Sequence, residues 1–247
     1  MKIIVSDSHS PVYNLAFEEF LFSGFTDDFL LFYVNENSVI LGSNQSVRNE
    51  VNFEYCAANN IQIIRRKSGG GAVFHDMGNL NFSFIRTKNS ENGLVYQSLS
   101  GDFLQPVIAW LSQLDVEVSR GERKDLWLPE GYKITGTASQ IRKSRELHHG
   151  TLLIDADGEM LKQALQVQSM DLTVKATPSV RSKTKNILDY LREKKRLQIT
   201  AAEFINVIIA NAEKYYNTEK VTNADFDQSE IENRMGDYQD NEWNFRK

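Results

Sequence analysis

The amino-acid sequence predicts an α+β fold. Short runs typical of strands concentrate near the beginning of the chain and helical patterns towards its end, without a regular strand–helix–strand repeat. The 247 residues contain four prolines, no tandem repeat and no Pro/Ser-rich linker. These features favour one continuous domain over residues 1–247, with 41% hydrophobic residues to build its core.

The first predicted helix begins at Pro11, because Ser10 is a good N-cap and proline is favoured in the first turn of a helix. Asn52 is expected to cap a second, short helix that ends near Ala58. Apolar and alternating runs predict strands at Phe29–Val34, Ser38–Leu41, Ile61–Arg66 and Leu80–Ile85.

In the rest of the chain, Leu94–Leu114 has a helical pattern with a break expected near Pro106. The polar tail that begins at Asn223 ends in Trp243-Asn244-Phe245, so its end is expected to dock on the domain. The other predicted strands are Val116–Val118, Tyr132–Arg142 and Leu147–Asp155, and the other predicted helices are Gly158–Leu165, Lys185–Glu193 and Thr200–Tyr216.

Composition argues against several classes of protein. The formal net charge is −5, whereas a nucleic-acid-binding protein of this size is usually basic. A single cysteine, Cys56, allows neither an intrachain disulfide nor a Cys-based metal cluster. The N-terminus lacks the apolar run of a signal peptide, and no stretch approaches the roughly 18 apolar residues of a membrane span. We therefore expect a cytoplasmic protein with no nucleic-acid or membrane partner.

A glycine-rich segment, Arg65–Asn79, carries the strongest chemical signal. Arg65, Arg66 and Lys67 precede Ser68 and the glycines Gly69–Gly71. Glycines let backbone N–H groups approach a ligand, and neighbouring arginines suit phosphate or carboxylate recognition. The segment predicts an anion site, although a plain surface loop with solvated arginines is the alternative. It matches neither the Walker nor the Rossmann phosphate loop, so a nucleotide site here needs another architecture.

Two later segments add candidate groups. In Lys133–Ser139 a strand lysine is surrounded by small residues and could reach a ligand, the alternative being a solvent-exposed lysine. His148 and His149 are adjacent on a predicted strand, so they point to opposite faces and make a poor chelating pair. One of them is expected to face a pocket while the other packs or meets solvent.

Together these segments resemble the lipoate–protein ligase A family. Arg65–Asn79 fits its first signature, Lys133, Gly136 and Ala138 fit its Lys-x-x-Gly-x-Ala signature, and His148–Leu153 fits its His-His-Gly-Thr-Leu-Leu. Weaker similarity extends to Asn14–Glu19, Ser179–Ser182 and Trp243–Phe245. The resemblance implies the catalytic domain shared by biotin and lipoate ligases, with mixed or antiparallel sheets flanked by helices, related to class II aminoacyl-tRNA synthetases.

The implied activity has two steps. Lipoate and Mg-ATP give lipoyl-AMP, and a lysine of an acceptor lipoyl domain then attacks this mixed anhydride. The implied acceptors are E2 subunits of 2-oxoacid dehydrogenases and the glycine cleavage H protein. Lys133 is implied as the catalytic lysine, placed between the lipoate carboxylate and the α-phosphate.

The resemblance also assigns ligand-binding residues. Those implied for ATP are Arg66, Gly71, Ala72, Val73, Phe74 and Lys133. Those implied for lipoate are Lys133, Ser68, Gly69, Gly70, His149 and Gly150. Asp76 either helps to hold Mg²⁺ or fixes the loop through a backbone hydrogen bond.

Two departures from the family pattern matter. The chain ends just after Trp243–Phe245, so the small C-terminal accessory domain of two-domain relatives is expected to be absent, and a separate accessory subunit could replace it. Lys124 stands where many relatives have asparagine, which puts local contacts to nucleotide or metal in question.

Two alternative functions stay open. Related acyltransferases work without ATP through a cysteine thioester, but their cysteine lies shortly before the conserved lysine, where Gly121–Tyr132 has none. Cys56 lies far upstream and is expected to be a buried hydrophobe. The other alternative is a non-catalytic lipoyl-binding subunit.

Overall fold

The computed structural model describes residues 1–87, 103–167, 175–195 and 199–246. Its strands are β1 (Lys2–Val5), β2 (Phe29–Tyr33), β3 (Ser38–Leu41), β4 (Gln62–Arg65), β5 (Val73–His75), β6 (Asn79–Thr87), β7 (Ser119–Arg120), β8 (Leu126–Trp127), β9 (Thr137–Arg142), β10 (Arg145–Leu153) and β11 (Lys220–Thr222). Its helices are α1 (Pro11–Gly24), α2 (Val47–Glu50), α3 (Phe53–Ala58), α4 (Leu104–Ser112), α5 (Gly158–Ala164), α6 (Ile187–Lys195), α7 (Ala201–Tyr216), α8 (Gln228–Gln239) and α9 (Asn241–Asn244).

The strands form three sheets. The largest has six strands in the order β11–β1–β2–β6–β10–β9, with β1 parallel to both of its neighbours and the other pairs antiparallel. A second sheet has the order β4–β3–β5, in which β3 runs parallel to β4 and antiparallel to β5. Strands β7 and β8 form a small ribbon. Mixed sheets with helices against them confirm the predicted α+β class.

Helices cover both faces of the large sheet. Strand β2 is buried throughout, because Leu30 and Phe32 join a core with α4 and α7, whereas Phe29, Leu31 and Tyr33 join a core with α1 and α8. This division follows from the alternation of side chains along a strand. The small sheet packs on α3 and α5 in a third core that contains Cys56.

Several predicted elements are confirmed by local hydrogen bonds. The Ser10 side chain accepts from the N–H of Tyr13 at the start of α1, and the Asn52 side chain accepts from the N–H of Tyr55 at the start of α3. Helices α5, α6 and α7 lie within two residues of their predicted bounds. The six-residue segment 241–246 reaches the domain through α9, as expected for the tail.

Three expectations were wrong or fall partly outside the structure. The predicted strand Val116–Val118 is not a strand, since the N–H of Val116 instead bonds the Leu111 carbonyl and ends the turn after α4. Helix α4 begins two residues before Pro106, which lies in its first turn, where proline costs no hydrogen bond. The rest of the expected helix, residues 94–102, lies outside the described residues.

Candidate functional site

Residues 66–72 of the glycine-rich segment connect β4 to β5 and lie against the residues that follow β3. Gly70 has φ +86°, a left-handed conformation that favours glycine. A Cβ on Gly42 would come within 2.0 Å of the Gly70 carbonyl oxygen, so the two backbones approach too closely for any side chain at position 42. The segment is therefore a packed structure rather than a solvated surface loop.

Arg66 holds this segment from inside. Its guanidinium donates to the carbonyls of Gly69 at 2.6 Å and Gly71 at 2.8 Å, to the Ile40 carbonyl at 2.9 Å and to the Ser68 hydroxyl at 3.0 Å. The side chain is 5% exposed, and burial lowers its pKa to about 10, partly opposed by the charge of Glu18. Arg66 therefore organises the loop as well as bordering the ligand space.

Arg65 and Lys67, the other two cations of the motif, are paired with other parts of the protein. The expectation that all three cations form an anion site was therefore wrong. Arg65 is fully buried and donates to the backbone carbonyls of Trp243, Asn244 and Arg246. Lys67 pairs with Asp237 at 2.7 Å. Neither residue lines the two cavities described below.

Two adjoining cavities open beside the glycine-rich segment. The inner cavity, of about 360 Å³, lies between the large and small sheets, and its walls include Leu15, Tyr33, Ile40 and Val73. The outer cavity, of about 660 Å³, is bordered by α5 and by residues 179–184. The residues common to both are Ala72, Val73, Lys133, Gly136, Thr151, Ser179 and Val180.

Lys133 lies on the wall that the two cavities share. The expected strand Tyr132–Arg142 is only partly formed, because β9 begins at Thr137 and Lys133 instead makes isolated bridges to Trp127 and Thr184. These bridges clamp its backbone between two segments, and its side chain remains 20% exposed. A lysine held in this way presents a positive charge to both cavities.

Asp125 positions the Lys133 ammonium, at 3.0 Å, and is itself 3% exposed. Burial alone would raise the pKa of Asp125, but the indole N–H of Trp127 and the ammonium of Lys133 outweigh it, so the net pKa is lowered. Asp125 is therefore an anionic brace that fixes where the Lys133 charge lies.

The two adjacent histidines point to opposite faces of β10, as predicted. His149 lines the inner cavity, and its ring bonds the Glu18 carboxylate through Nδ1 at 2.9 Å and the Ser68 hydroxyl through Nε2 at 2.7 Å. His148 instead stacks on Phe103, with ring centroids 4.8 Å apart, and bonds Ser139. Glu18, His149 and Ser68 thus connect α1 to the glycine-rich segment.

Most residues implied by the family resemblance border one of the cavities. Arg66, Gly70, Gly71, His149 and Gly150 line the inner cavity, and Phe74 lines the outer cavity. Ala72, Val73 and Lys133 line both. Ser68 and Gly69 line neither, so their connection to the inner cavity is indirect, through Arg66 and His149.

Asp76 makes the contacts of a loop-fixing residue. One carboxylate oxygen accepts from the N–H of Gly78 at 2.9 Å and the other from the N–H of Asp157 at 2.7 Å. It lines neither cavity, and no group of three or more His, Cys, Asp or Glu side chains in the described ranges could hold a metal ion. A metal role for Asp76 stays a prediction without a supporting contact.

Sequence reasoning missed a brace at Ser179, which lines both cavities. The Ser179 hydroxyl accepts from the N–H of Ala72 and from the Gln45 side chain, both at 2.9 Å. The N–H of Ser179 donates to Glu50, also at 2.9 Å. These contacts join α2, the glycine-rich segment and the loop after residue 177. Similarity of Ser179–Ser182 to the family's later loop was the one available signal, because contacts across more than 100 residues leave no local pattern.

Among the helices that the structure describes, none is both long and apolar enough to cross a membrane.

Comparison with solved structures shows what this architecture is similar to. A lipoate-protein ligase A bound with ATP aligns with a TM-score of 0.78 at 25% identity, covering 99% of each chain. The bipartite lipoate protein ligase of Thermoplasma acidophilum, studied with its E2 lipoyl domain, aligns with a TM-score of 0.78 at 27% identity, covering 99% of this chain and 96% of that one.

Sequence comparison agrees. The lipoate-protein ligase LplJ of Bacillus subtilis is 37% identical over 218 residues, covering 87% of this chain and 62% of the relative. Lipoate–protein ligase 1 of Staphylococcus aureus is 34% identical over 249 residues, covering 99% of this chain and 73% of the relative. Residues 10–213 match the family model of the lipoyl protein ligase A/B catalytic domain, and the chain therefore belongs to that family.

Proposed function

We propose that this chain activates lipoate with ATP to form lipoyl-AMP and then transfers the lipoyl group to a lysine of a lipoyl-domain protein. In the first step the lipoate carboxylate attacks the α-phosphate of ATP and pyrophosphate leaves. In the second step the acceptor amine attacks the acyl carbon and AMP leaves. The acceptor supplies the nucleophile, so the enzyme's contribution is mostly positioning and charge stabilisation.

The observation that carries this proposal is the place of Lys133 on the wall shared by two cavities. Leu15, Tyr33 and Ile40 line the inner cavity and suit an acyl chain, although Arg66 and Arg123 border it as well. Lys162 and Arg181 line the larger outer cavity, where they suit phosphates. A carboxylate in one and an α-phosphate in the other would meet at Lys133. Its charge would stabilise the negative charge that develops as the acyl–phosphate bond forms.

Two structural neighbours support ATP and a lipoyl domain as substrates. One structural neighbour is a lipoate-protein ligase A bound with ATP, and another is the ligase of a bipartite lipoylation system that includes an E2 lipoyl domain. We therefore propose E2 subunits as acceptors, and the family resemblance adds the glycine cleavage H protein. This chain spans 62% of the Bacillus relative. A separate accessory chain is proposed as a partner, because the Thermoplasma neighbour is a bipartite ligase.

Mg²⁺ would be held mainly by the phosphates of ATP. This ion commonly binds through one or two carboxylates together with substrate phosphates, so a cage of three protein carboxylates is not required. Glu50 is the carboxylate that borders the outer cavity among the described residues. When bound, the ion would neutralise phosphate charge during adenylation.

The structure gives no support to a thioester route through Cys56. Cys56 is 1% exposed, lies in the core of the small sheet and lines neither cavity. Burial raises the pKa of the thiol to about 11, which keeps it protonated and poorly nucleophilic at neutral pH.

Transfer to an isolated lipoyl domain tests the proposal. Protein, lipoate and Mg-ATP are mixed with the acceptor, with and without a candidate accessory chain, and the acceptor is weighed by mass spectrometry. We expect the mass gain of one lipoyl group, its loss when ATP is omitted, and unchanged transfer by Cys56→Ser. Transfer from an acylated carrier without ATP, or ligand binding without any turnover, would assign the chain to the acyltransferase or to the binding-subunit class.

A further inference from the structure

One edge of the large sheet is open. Strand β9 is the last strand on its side of the six-stranded sheet, and its outer side has no neighbouring strand in the described part of the chain. None of its six residues is fully buried, and Ile141 is 47% exposed. An exposed edge strand is a template for pairing with another chain, and an apolar side chain on it does nothing to prevent that pairing.

The hydrogen bonds to β10 show which backbone groups point outward. The N–H of Thr151 donates to the Gly136 carbonyl at 3.0 Å, one step beyond the last β9–β10 pair, so Gly136 occupies a hydrogen-bonded position. Along an antiparallel strand this direction recurs at every second residue. Ser139 and Ile141 therefore turn their N–H and C=O groups away from β10. These groups have no backbone partner among the residues that the structure describes.

The open edge begins beside the wall of the inner cavity. Thr137 and Ala138, at the start of β9, line this cavity, as does Lys133. The glycine-rich segment reaches the same end of the strand, since a Cβ on Gly70 would lie 3.2 Å from the Cβ of Ala138 and 3.7 Å from the Thr137 carbonyl oxygen. A chain paired with Ser139–Ile141 would therefore lie next to residues that line the inner cavity.

The far end of the open edge is basic. Residues 137–145 contain three cations and no carboxylate, although the whole chain has a net charge of −5. Arg142 and Lys143 are both exposed. The guanidinium of Arg142 pairs with Glu19 at 2.8 Å, whereas Lys143 lies in the turn between β9 and β10. This end of the edge is therefore suited to a partner segment that carries carboxylates.

The opposite edge of the same sheet differs in both respects. There the N–H of Lys220, in β11, donates to the Glu213 carboxylate at 2.9 Å, so a side chain of the protein itself occupies part of that edge. No residue of β11 lines either cavity. The β9 edge thus combines outward backbone groups with a position beside the candidate site.

We propose that the β9 edge, Ser139–Ile141, is the docking surface for the acceptor protein, which adds an extended segment next to its target lysine as a further strand. The inference rests on the proposed function, since it requires an acceptor. The acceptor lysine must reach the acyl carbon at the wall that contains Lys133, and pairing beside the inner cavity would bring it close. Main-chain hydrogen bonds would provide affinity, and carboxylates of the acceptor would meet Lys143. The partner is thus a lipoyl domain with acidic residues near its lysine.

Three assays separate docking from chemistry: ATP–pyrophosphate exchange, lipoyl transfer to hydroxylamine, and lipoyl transfer to an isolated lipoyl domain. Ile141→Pro removes one outward N–H, which an edge strand tolerates, and Ile141→Thr keeps that N–H as the matched control. We expect Ile141→Pro to lower kcat/KM for the lipoyl domain about tenfold and Ile141→Thr to lower it less. Exchange and hydroxamate formation should stay at the wild-type level in both variants.

A charge reversal tests the expected acidity of the partner. Lys143→Glu should lower kcat/KM for the lipoyl domain about tenfold at low ionic strength, and added salt should reduce the difference. Lys220→Glu, on the opposite edge, is the control and should change nothing. Unchanged transfer by Ile141→Pro or by Lys143→Glu, or an equal fall in Lys220→Glu, would overturn the inference while exchange continues. Absence of exchange in the wild type would instead overturn the proposed function.

A measurement on the unsubstituted chain keeps the inference testable if Ile141→Pro fails to fold. Amide hydrogen exchange followed by NMR should be faster at Ser139 and Ile141 than at Ala138 and Gln140. Only the first pair should become slower when the unlipoylated lipoyl domain is added. No slowing on addition of the lipoyl domain contradicts the inference. Slowing that appears without it as the protein concentration rises would assign the edge to a second copy of this chain, and equally contradicts the inference.

Discussion

At the scale of single residues, Arg66 shows how a motif arginine can serve the protein before it serves a ligand. Its bonds to three backbone carbonyls and one hydroxyl use the fixed fork of the guanidinium. A lysine carries the same charge but cannot satisfy so many acceptors at once. The arginine is therefore required by geometry and not only by charge.

Arg66→Lys should lower the free energy of unfolding by about 1.5–3 kcal/mol, because buried carbonyls lose charged donors. Urea unfolding monitored by circular dichroism gives this value. Arg120→Lys is the control, since Arg120 is exposed and its side chain donates a hydrogen bond to Gln105. We expect this substitution to change the free energy of unfolding by no more than about 0.5 kcal/mol. Equal effects of the two substitutions would show that the fork at Arg66 contributes nothing.

At the scale of elements, helix α9 connects the C-terminal segment to β4. Asn244 is 4% exposed, its side-chain oxygen accepts from the N–H of Arg65 at 2.8 Å and its amide donates to the Tyr238 carbonyl at 2.8 Å. Trp243 returns a bond from its indole N–H to the Arg65 carbonyl. The segment thus braces the strand that leads into the glycine-rich segment.

Asn244→Ala should cost about 1–3 kcal/mol, because it leaves the buried Arg65 N–H and Tyr238 carbonyl without partners. Thermal and urea unfolding measure the loss. The neighbouring Asn241→Ala removes an exposed amide from the same helix and should change little. If both substitutions have the same small effect, the C-terminal segment does not brace the domain.

Elements with local signals were predictable from the sequence. Ser10 and Asn52 cap their helices through bonds that span three residues, so the sequence around them contains the whole signal. Helix α8 was missed because only Ile231 and Tyr238 of its twelve residues are buried, which leaves little apolar periodicity. The strand predicted over Tyr132–Arg142 is confirmed only from Thr137 onwards, because Lys133 bridges Trp127 and the distant Thr184 instead of continuing β9.

The difference between local and distant contacts also decides how much of the site was predictable. The motif Arg65–Asn79 indicated residues that border the cavities, because residues close in sequence stay close together in the loop. The roles of Arg65 and Lys67 were predicted wrongly. Arg65 donates to backbone carbonyls within residues 243–246 and Lys67 pairs with Asp237, and no local pattern reveals such distant partners. The contact of Glu18 with His149 was missed for the same reason, because the two residues lie in different elements.

At the scale of the whole molecule, two buried neutral histidines make stability depend on pH. Burial lowers the pKa of His75 and of His148 to about 3 from an ordinary value of 6.5. Below pH 6.5 the unfolded chain binds protons at these positions and the folded chain does not. The free energy of unfolding is therefore expected to fall as pH drops from 6.5 towards 3, by up to about 1.4 kcal/mol per pH unit for each histidine.

Urea unfolding at pH 7.5, 6.0 and 5.0 measures this dependence. His148→Asn should flatten the decline, because it removes one of the two groups without altering the cavities. A free energy of unfolding that is the same at pH 7.5 and pH 5.0 would contradict neutral burial of the two rings.

Lys133 lies on the wall shared by the two cavities, and the proposed function places the acyl chain in the inner cavity and ATP in the outer one. The most direct test is ATP–pyrophosphate exchange with lipoate, octanoate and biotin in parallel, with a candidate accessory chain present and absent. We expect exchange that depends on lipoate and falls roughly 100- to 1,000-fold in Lys133→Ala, with Lys2→Ala, an exposed lysine, unchanged. No lipoate-dependent exchange under any of these conditions, or full exchange by Lys133→Ala, would contradict adenylation at Lys133.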